Sequence, residues 1–427
     1  MAALPHYERR VVDDDLDELS EDLPAIALEG PKGVGKTRTA LQRATTVHRL
    51  DDPAEIAVAR ADPSRLLEGD PPVLLDEWQR LPQLWDLVRR AVDDGAAAGR
   101  FLLTGSAAPD PPPTHSGAGR IVTVRMRPLS LDERLRSATV SLAELLAGDR
   151  PPVTGETDVA LVGYVEEILA SGLPGVRRLA GRPRRMQLAT YVERIVDRDV
   201  PDDAGVTVKN PAALRRWMAA HAAASATTAT FETIRDAASA GSQRKPSKTA
   251  TLSYRDALTR LWVLDEVPSW IPSNNRLSEL GHSPKHHLAD PALAAQLLGV
   301  QASTLLAGQS SGPVVPRDDT LLGALFESLA TLSIQVYAAR SEAQVKHLRT
   351  ARGRQEVDVI VERPDGRVVA IEVKLARDVG AHDVRHLNWL DERLPGGVLD
   401  KLILTTGPAA YRRSDGVAVV PLALLGP

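Results

Sequence analysis

Short apolar runs alternate with helical or loop segments along the first third of the chain. Polar or turn-forming residues flank each run, a pattern typical of strands that are buried in a parallel sheet. The runs lie at residues 25–28, 56–59, 73–75, 101–103 and 121–126. The alternation predicts an α/β fold in which a doubly wound parallel sheet extends from Pro24 to about Ser130.

The next part of the chain follows a helical pattern. Residues 131–198 are rich in Ala, Leu, Glu and Arg, and they predict a helical extension beside the sheet. Three more helices are predicted at 212–224, 230–240 and 247–261, and a hairpin after them would complete a winged-helix-like domain. A helical unit that only packs domains together fits the same pattern.

The last part of the chain returns to an α/β pattern. A helix that bears Glu327 precedes two predicted strands, 356–362 and 367–375, and further strands are expected at 401–405 and 417–425. The sequence therefore predicts four domains: an α/β core (1–135), a helical extension (136–205), a winged-helix-like domain (206–311) and a C-terminal α/β domain (312–427).

A phosphate-binding motif gives the first domain its predicted chemistry. Directly after the strand at 25–28, the chain satisfies the P-loop pattern G-x-x-x-x-G-K-[ST]. Glycines let such a loop curl so that its N–H groups point at the phosphates, while the lysine reaches the β- and γ-phosphates and the hydroxyl binds Mg²⁺. The predicted ATP-binding residues are Gly30, Pro31, Lys32, Gly33, Val34, Gly35, Lys36 and Thr37. A simple glycine-rich turn would not explain lysine and threonine at these offsets.

Two carboxylates complete the predicted hydrolytic site. The apolar run 73–75 ends in Asp76 and Glu77 at the carboxyl edge of the sheet. Asp76 is predicted to hold Mg²⁺ together with Thr37, and Glu77 to orient and deprotonate the attacking water. The alternative is that both acids merely cap the helix predicted at 81–92.

Further polar residues are predicted to approach the γ-phosphate. The strand at 101–103 runs into Thr104 and Ser106, either of which can sense the phosphate if this strand neighbours the P-loop strand. Ordinary turn residues at the end of a strand explain them equally well. Arg120 is a third position, predicted to stabilise transition-state charge in its own subunit or in a neighbouring one.

A second set of charged residues lies in the C-terminal domain. Asp358 is in the first predicted strand, and Glu372 and Lys374 share one face of the second, so they can converge across the hairpin. Two carboxylates and a lysine can hold a hard cation and activate water for phosphodiester hydrolysis. Glu327 could add a contact to this cation or to one of its ligands. The set of two carboxylates and a lysine resembles that of restriction-endonuclease-like folds. Ordinary solvated charges on an exposed hairpin are the alternative.

Composition narrows the class of protein and its partners. The net charge of −4 indicates no global basic field, so DNA or RNA would need a local patch such as the basic turn 244–249. Cysteine is absent, which excludes disulfides and thiolate metal sites. The N-terminus lacks a signal-peptide pattern and the apolar stretch 320–339 carries Glu327, so we expect a cytoplasmic location and no membrane partner. His286 and His287 are expected in a loop, and we assign them no role.

The order of the motifs is similar to that of an AAA-type ATPase from the bacterial and archaeal family with a C-terminal domain of unknown function 4143. The matching segments are 30–37, 74–77, 102–106, 118–121, 128–130, 171–174, 325–327, 356–358 and 371–374. The resemblance implies ATP and Mg²⁺ as ligands and a restriction-endonuclease-like C-terminal fold. Ser171 stands where a glycine is usual in the family.

Two functions fit this pattern. The first is a Mg²⁺-dependent ATPase whose C-terminal domain acts on or senses nucleic acid. The second is a nucleotide-controlled switch that signals to a protein partner or a second copy of the chain, with an inactive nuclease-like domain. The space between Asp358, Glu372 and Lys374 separates them, because room for a cation favours the first function and a filled space favours the second.

Overall fold

The computed structural model describes residues 7–107, 117–239, 246–270, 283–308, 315, 320–350 and 353–427. The first two residues of the basic turn 244–249 lie outside these ranges. The described residues form two large sheets surrounded by helices. A third, two-stranded sheet pairs β6 (Val140–Ser141) with β14 (Leu425–Gly426).

The N-terminal sheet has five parallel strands in the order β2-β3-β4-β1-β5. Apolar residues fill both faces of its central strands, as expected for a parallel sheet covered by helices on both sides. The strands are β1 (Ala25–Glu29), β2 (Thr46–Arg49), β3 (Val73–Asp76), β4 (Phe101–Gly105) and β5 (Val122–Arg125). The predicted parallel sheet is therefore present, and its carboxyl edge brings the ends of β1, β3 and β4 together.

The strand predicted at 56–59 is wrong. These residues belong to the helix Pro53–Ala61, whose start is fixed by Pro53 in the first turn and by the carboxylate of Asp52, which accepts a hydrogen bond from the N–H of Ala54. The edge position in the sheet is taken by β2 instead. A short apolar run cannot distinguish a strand from one turn of a partly buried helix.

Helices cover the N-terminal sheet and continue as the predicted extension. Around the sheet they are Val11–Asp22, Lys36–Ala40, Pro53–Ala61 and Gln83–Asp93. In the extension they are Leu131–Leu135, Leu142–Ala147, Leu161–Ala170, Pro174–Arg177 and Gly181–Arg194. A π-helical segment, Ile195–Asp203, follows directly and contains Pro201, which cannot donate a backbone hydrogen bond.

Three helices form the middle of the chain, at Pro211–Ala223, Phe231–Ala237 and Lys248–Arg260, close to the predicted positions. Antiparallel bridges Leu264↔Leu288 and Val267↔Lys285 follow them. The helices Pro291–Leu297 and Ala302–Leu306 complete this region. The winged-helix-like assignment stays a prediction.

The C-terminal sheet has seven strands in the order β7-β12-β13-β11-β10-β9-β8. Its strands are β7 (Gly155–Glu156), β8 (Gln344–Arg349), β9 (Glu356–Glu362), β10 (Val368–Val373), β11 (Val398–Thr405), β12 (Ala409–Arg412) and β13 (Ala418–Pro421). The predicted hairpin is the antiparallel pair β9 and β10. The helix Arg385–Arg393 packs on one face of this sheet. Because β7 lies between two helices of the extension, the C-terminal sheet incorporates residues from far earlier in the chain.

The helix Leu321–Arg340 lies in the interior between the two large sheets and is continuous to Arg340. Within the described ranges, it is the helix that is long and apolar enough to cross a membrane, and 89% of its apolar window is buried inside the protein. Burial of this kind is typical of a core helix. The helix leads through a short turn to the edge strand β8.

Candidate functional site: the P-loop and a second charged cluster

The P-loop connects β1 to the short helix Lys36–Ala40 and is tightly curled. Gly30 has φ 152°, and a Cβ atom there would lie 2.1 Å from the backbone oxygen of Met126, so only glycine fits. Gly33 and Gly35 also have positive φ angles, 79° and 108°. The loop therefore adopts the conformation that its glycines predict.

Lys36 is buried and folds back over its own loop. Its Nζ donates to the carbonyl oxygens of Gly30 at 2.8 Å and Pro31 at 2.9 Å. Burial lowers the pKa of Lys36 to about 8, although Glu77 and Asp76 act in the opposite direction. A buried ammonium group whose direct hydrogen bonds go to carbonyl oxygens is poised to exchange them for a polyanion.

The predicted magnesium ligands meet at the carboxyl edge of the sheet. The hydroxyl of Thr37 donates to Asp76 Oδ1 at 2.7 Å, and the hydroxyl of Thr104 donates to the same oxygen. Strand register explains this meeting, because Asp76 pairs with Thr104 across β3 and β4. A threonine hydroxyl beside a carboxylate provides the hard oxygen donors that Mg²⁺ prefers, so these residues fit the metal that the motif implies.

Glu77 lies beside Asp76 and is held by two neutral side chains. Glu77 Oε2 accepts hydrogen bonds from Gln79 Nε2 at 2.5 Å and from Ser106 Oγ at 3.0 Å. Its backbone is left-handed, with φ 58°. A short 3₁₀ helix, Trp78–Arg80, follows Glu77, whose side chain makes no capping hydrogen bond to it. The helix Gln83–Asp93 has Pro82 at its N-cap, so neither acid caps that helix. Sequence reasoning missed Gln79, because nothing in the linear motif distinguishes it from an ordinary polar residue.

Lys32 and Val34, two further residues of the P-loop, lie in contact with residues outside the loop. Lys32 Nζ bonds Asp199 Oδ1 and Asp203 Oδ2, each at 2.5 Å, and the hydroxyl of Tyr191 donates to the Lys32 carbonyl at 2.9 Å. Val34 is buried, and its carbonyl accepts from Arg10 at 3.0 Å. Lys32 thus links the P-loop to the helical extension.

Arg120 is not brought to this site. It precedes β5, which is parallel to β1, so it lies at the amino edge of the sheet, opposite the P-loop. Its Nε bonds Asp93 Oδ1 at 2.8 Å, and its side chain is exposed. A role in its own subunit is therefore inconsistent with the placement of Arg120.

An open cleft of about 800 Å³ borders the P-loop. Lys32, Gln79 and Arg80 line it on one side, and Arg194 and Arg198 of the extension on the other. The cleft provides room and positive charge for a nucleotide whose phosphates lie in the loop.

The predicted C-terminal set also converges. Asp358 Oδ2 accepts a hydrogen bond from the N–H of Val373 at 2.9 Å, which places Asp358 beside Glu372 on the neighbouring strand. Lys374 Nζ lies 2.9 Å from Glu372 Oε2. Glu327, on the buried helix, completes the acidic group.

A lysine from the middle region pairs with the Glu327 and Asp358 side of this group. Lys285 is 1% exposed, and its Nζ lies 2.7 Å from Glu327 Oε1, 3.0 Å from Asp358 Oδ1 and 3.9 Å from Glu356 Oε1. The bridge between Val267 and Lys285 delivers it from outside the C-terminal sheet. Sequence reasoning missed Lys285, because its only signal is a lysine among apolar and histidine residues in a supposed loop.

The electrostatics of this cluster follow from burial and from Lys285. Burial works against charge on Lys285, but Asp358, Glu327 and Glu356 raise its pKa above the ordinary value. Burial likewise opposes ionisation of Asp358, but Lys285 and Lys374 hold its pKa below the usual range. Burial raises the pKa of Glu327 to about 8, and burial together with Asp358 raises that of Glu372. Lys285 and Asp358 are therefore the charged pair at neutral pH.

Three family models match successive parts of the chain. A model described as an AAA domain matches residues 22–135, a domain of unknown function (DUF8612) matches 162–304, and a domain of unknown function (DUF4143) matches 322–425. The chain thus carries an AAA-type P-loop ATPase domain followed at its C-terminus by a DUF4143 domain. This finding confirms the resemblance seen in the motifs. The restriction-endonuclease-like fold of the last domain stays a prediction.

Two curated relatives match part of this chain. An uncharacterized protein of Mycobacterium bovis and one of Mycobacterium tuberculosis are each 27% identical over 286 residues, which is 65% of this chain and 56% of the relative. The chain spans just over half the length of these curated relatives. A solved structure, the Walker-type ATPase PABY2304 of Pyrococcus abyssi, is 15% identical, with a TM-score of 0.40 over 68% of this chain and 96% of that chain.

Proposed function

We propose that the protein is a Mg²⁺-dependent, cytoplasmic ATPase that works as a nucleotide-controlled switch. The observation that carries the proposal is the 2.7 Å contact between Thr37 and Asp76 beside the buried ammonium of Lys36. These three groups are what a Mg²⁺-bound triphosphate requires, and they meet at the carboxyl edge of a parallel sheet, where such ligands bind.

The residues of the site have distinct tasks. N–H groups of the curled loop bind the phosphate oxygens, and Lys36 turns from its own carbonyls to the β- and γ-phosphates. Thr37 and Asp76 would hold Mg²⁺, which supplies neutralising charge on the phosphates. Glu77, fixed by Gln79 and Ser106, orients the attacking water and accepts its proton.

The contacts of Lys32 support a switch. Its ammonium bonds Asp199 and Asp203 in the π-helical segment Ile195–Asp203, so the P-loop and the extension share an ion pair. Bound phosphates compete with these carboxylates for the same ammonium group. Nucleotide occupancy therefore changes the contacts of the extension, and through it can signal to a protein partner or to a second copy of the chain.

The C-terminal cluster favours the switch over nuclease activity. Lys285 Nζ lies between Glu327 and Asp358, two of the carboxylates that a catalytic cation would have to share, and the removal of a buried, paired ammonium is costly. In our proposal the DUF4143 domain serves as a fold and not as a nuclease. DNA or RNA binding through a local basic patch stays the alternative function.

Two variants test the ATPase. Lys36→Ala should lose ATP binding, because the triphosphate loses its buried cation, whereas Glu77→Gln should bind ATP but release no phosphate. Equilibrium ATP binding and phosphate release would be measured for each. The exposed residues Lys209 and Glu68 give matched controls, Lys209→Ala and Glu68→Gln, which should behave like the parent. Parental hydrolysis by Glu77→Gln would refute the assignment.

A further inference from the structure

Two histidines and a carboxylate converge in the middle region, beside the segment that delivers Lys285 to the C-terminal cluster. His221 lies in the helix Pro211–Ala223, and Glu266 and His286 lie in the two segments that the bridge between Val267 and Lys285 joins. One ligand atom from each of the three residues lies within 4.8 Å of the others. Both imidazoles are fully buried, and the glutamate side chain is 25% exposed.

Hydrogen bonding fixes the tautomer of His286. Its Nε2 lies 2.7 Å from the carbonyl oxygen of Ala229, and since a carbonyl can only accept, Nε2 carries the proton. Its Nδ1 faces Glu266 Oε1, which is 3.2 Å away. A lone pair on Nδ1 would be repelled by the carboxylate oxygen, so this contact calls for either a proton on Nδ1 or a metal ion between the two groups.

His221 lacks polar partners. Within the described ranges, neither of its ring nitrogens has a hydrogen-bond partner, and its Nε2 lies 3.6 Å from Glu266 Oε1, beyond hydrogen-bonding distance. A buried polar group without a partner destabilises the fold. A proton on His286 would satisfy the pair with Glu266 but would leave His221 as it is. A metal ion would in addition satisfy Nε2 of His221, whereas the N–H at Nδ1 would stay without a partner among the described residues.

We infer that His221, Glu266 and His286 form a binding site for a divalent transition-metal ion of the Zn²⁺ type. With metal–ligand bonds of about 2.0–2.1 Å, tetrahedral ligands are separated by about 3.4 Å, and the distances of 3.2 and 3.6 Å from Glu266 lie on either side of this value. Imidazole ligands select Zn²⁺ over Mg²⁺ or Ca²⁺. The carbonyl of Ala229 orients His286 in the way that outer partners orient metal-binding histidines.

The site has a fourth position and a path to it. Three protein ligands leave one coordination position for water, and the partly exposed side chain of Glu266 marks the side from which an ion enters. The ion would join the helix Pro211–Ala223 to the strand segment that carries Lys285, the neighbour of His286 in sequence. Because the ligands come together only in the folded chain, the ion should raise the thermal stability of the protein.

Metal binding by the full chain, without nucleotide, tests the site directly. After treatment with a chelator, the protein would be titrated with Zn²⁺ by calorimetry, and the Zn²⁺ that remains after desalting would be measured by mass spectrometry. We expect one Zn²⁺ per chain and a rise in Tm. Substitution with Co²⁺ should give the visible absorption of a tetrahedral site with nitrogen ligands.

Two ligand variants and one control complete the test. Glu266→Gln and His286→Gln should each weaken Zn²⁺ binding by more than about tenfold and change the Co²⁺ spectrum. His48→Gln is the control, since His48 also lies beside a carboxylate, 2.9 Å from Glu55, in the N-terminal region. It should bind Zn²⁺ like the parent. Circular dichroism would confirm that the variants fold. Because Glu266 is partly exposed, Glu266→Gln should disturb folding less than His286→Gln.

Two results would overturn the inference. One is a parent chain that retains no Zn²⁺ after desalting and gives no tetrahedral Co²⁺ spectrum. The other is a folded Glu266→Gln variant that binds Zn²⁺ as tightly as the parent, because the ion would then lie elsewhere in the chain.

Discussion

The ammonium of Lys285 lies 3.0 Å from the carboxylate of Asp358, and both groups are buried. Lys285 comes from the middle region, whereas Asp358 lies in a central strand of the C-terminal sheet. The pair therefore connects two regions that match different family models. It also places a protein cation between Asp358 and Glu327, two carboxylates that were predicted to contact a metal ion.

Lys285→Met should destabilise the fold strongly. The substitution removes the ammonium group that pairs directly with Asp358 and Glu327 in a buried site, and the loss of one partner of a buried pair costs about 3–5 kcal/mol. The free energy of unfolding from denaturant titration measures the effect. Lys209→Met, at an exposed position, should change it by less than about 0.5 kcal/mol. An equally small effect for Lys285→Met would show that the pair is not maintained in solution.

The C-terminal domain should not cleave nucleic acid. The parent chain and Asp358→Ala would be incubated with Mg²⁺ or Mn²⁺ and with single- and double-stranded DNA and RNA, with and without ATP. We expect intact substrate in every reaction, because Lys285 already pairs with Glu327 and Asp358, two of the carboxylates that a catalytic cation needs. Cleavage by the parent that is lost in Asp358→Ala would contradict the switch and restore the nuclease function.

The buried pair Arg10–Glu133 predicts a dependence of stability on pH. The side chains are 2.7 Å apart and 5% and 1% exposed. Burial opposes ionisation of Glu133, but Arg10 lowers its pKa below the ordinary value of 4.5. Its contribution to stability is therefore complete above about pH 4.5 and is lost as the pH falls through the lower pKa of the folded state.

Glu133→Gln isolates this contribution. At pH 7 the variant should be less stable than the parent by about 3–5 kcal/mol, and the difference should narrow as the pH falls below about 4.5 and through the lower pKa of Glu133 in the folded parent. Denaturant titrations between pH 7 and 3 would measure it. Glu232→Gln, which breaks an exposed pair with Arg235, should cost less than about 1 kcal/mol at pH 7. A pH-independent difference for Glu133→Gln would contradict the assignment.

Much of the nucleotide site could be predicted from the sequence, because its chemistry lies in a contiguous motif and at the ends of strands. Thr37, Asp76 and Thr104 meet because parallel strands end at the same edge. Arg120 shows the limit of this reasoning. Its position just before β5 in the sequence did not lead us to expect it at the amino edge of the sheet, opposite the P-loop.

Residues that act through long-range contacts could not be predicted in this way. Lys285 is 73 residues from Asp358, and His221 is 65 residues from His286, so only the folded chain brings them together. Ser171 is another residue whose contact could not be predicted from the sequence. It adopts φ 69° where the family has glycine, and its hydroxyl bonds Asp290 at 2.5 Å, a compensation that involves a residue far along the chain.

The link between Lys32 and the π-helical segment Ile195–Asp203 gives a direct test of the switch. In the parent without nucleotide, Asp199 and Asp203 share the Lys32 ammonium, which is 40% exposed, so the pairs contribute about 1 kcal/mol or less. Lys32→Met should therefore raise hydrogen exchange in this segment by up to about fivefold.

Nucleotide should reproduce part of that effect. A non-hydrolysable ATP analogue with Mg²⁺ draws Lys32 toward the phosphates, so exchange in Ile195–Asp203 should increase in the parent but change little in Lys32→Met. Lys209→Met, at a nearby exposed position in sequence, should respond like the parent. If the analogue binds the parent and leaves exchange in the segment unchanged, Lys32 does not transmit nucleotide occupancy to the extension, and the switch would need a different connection.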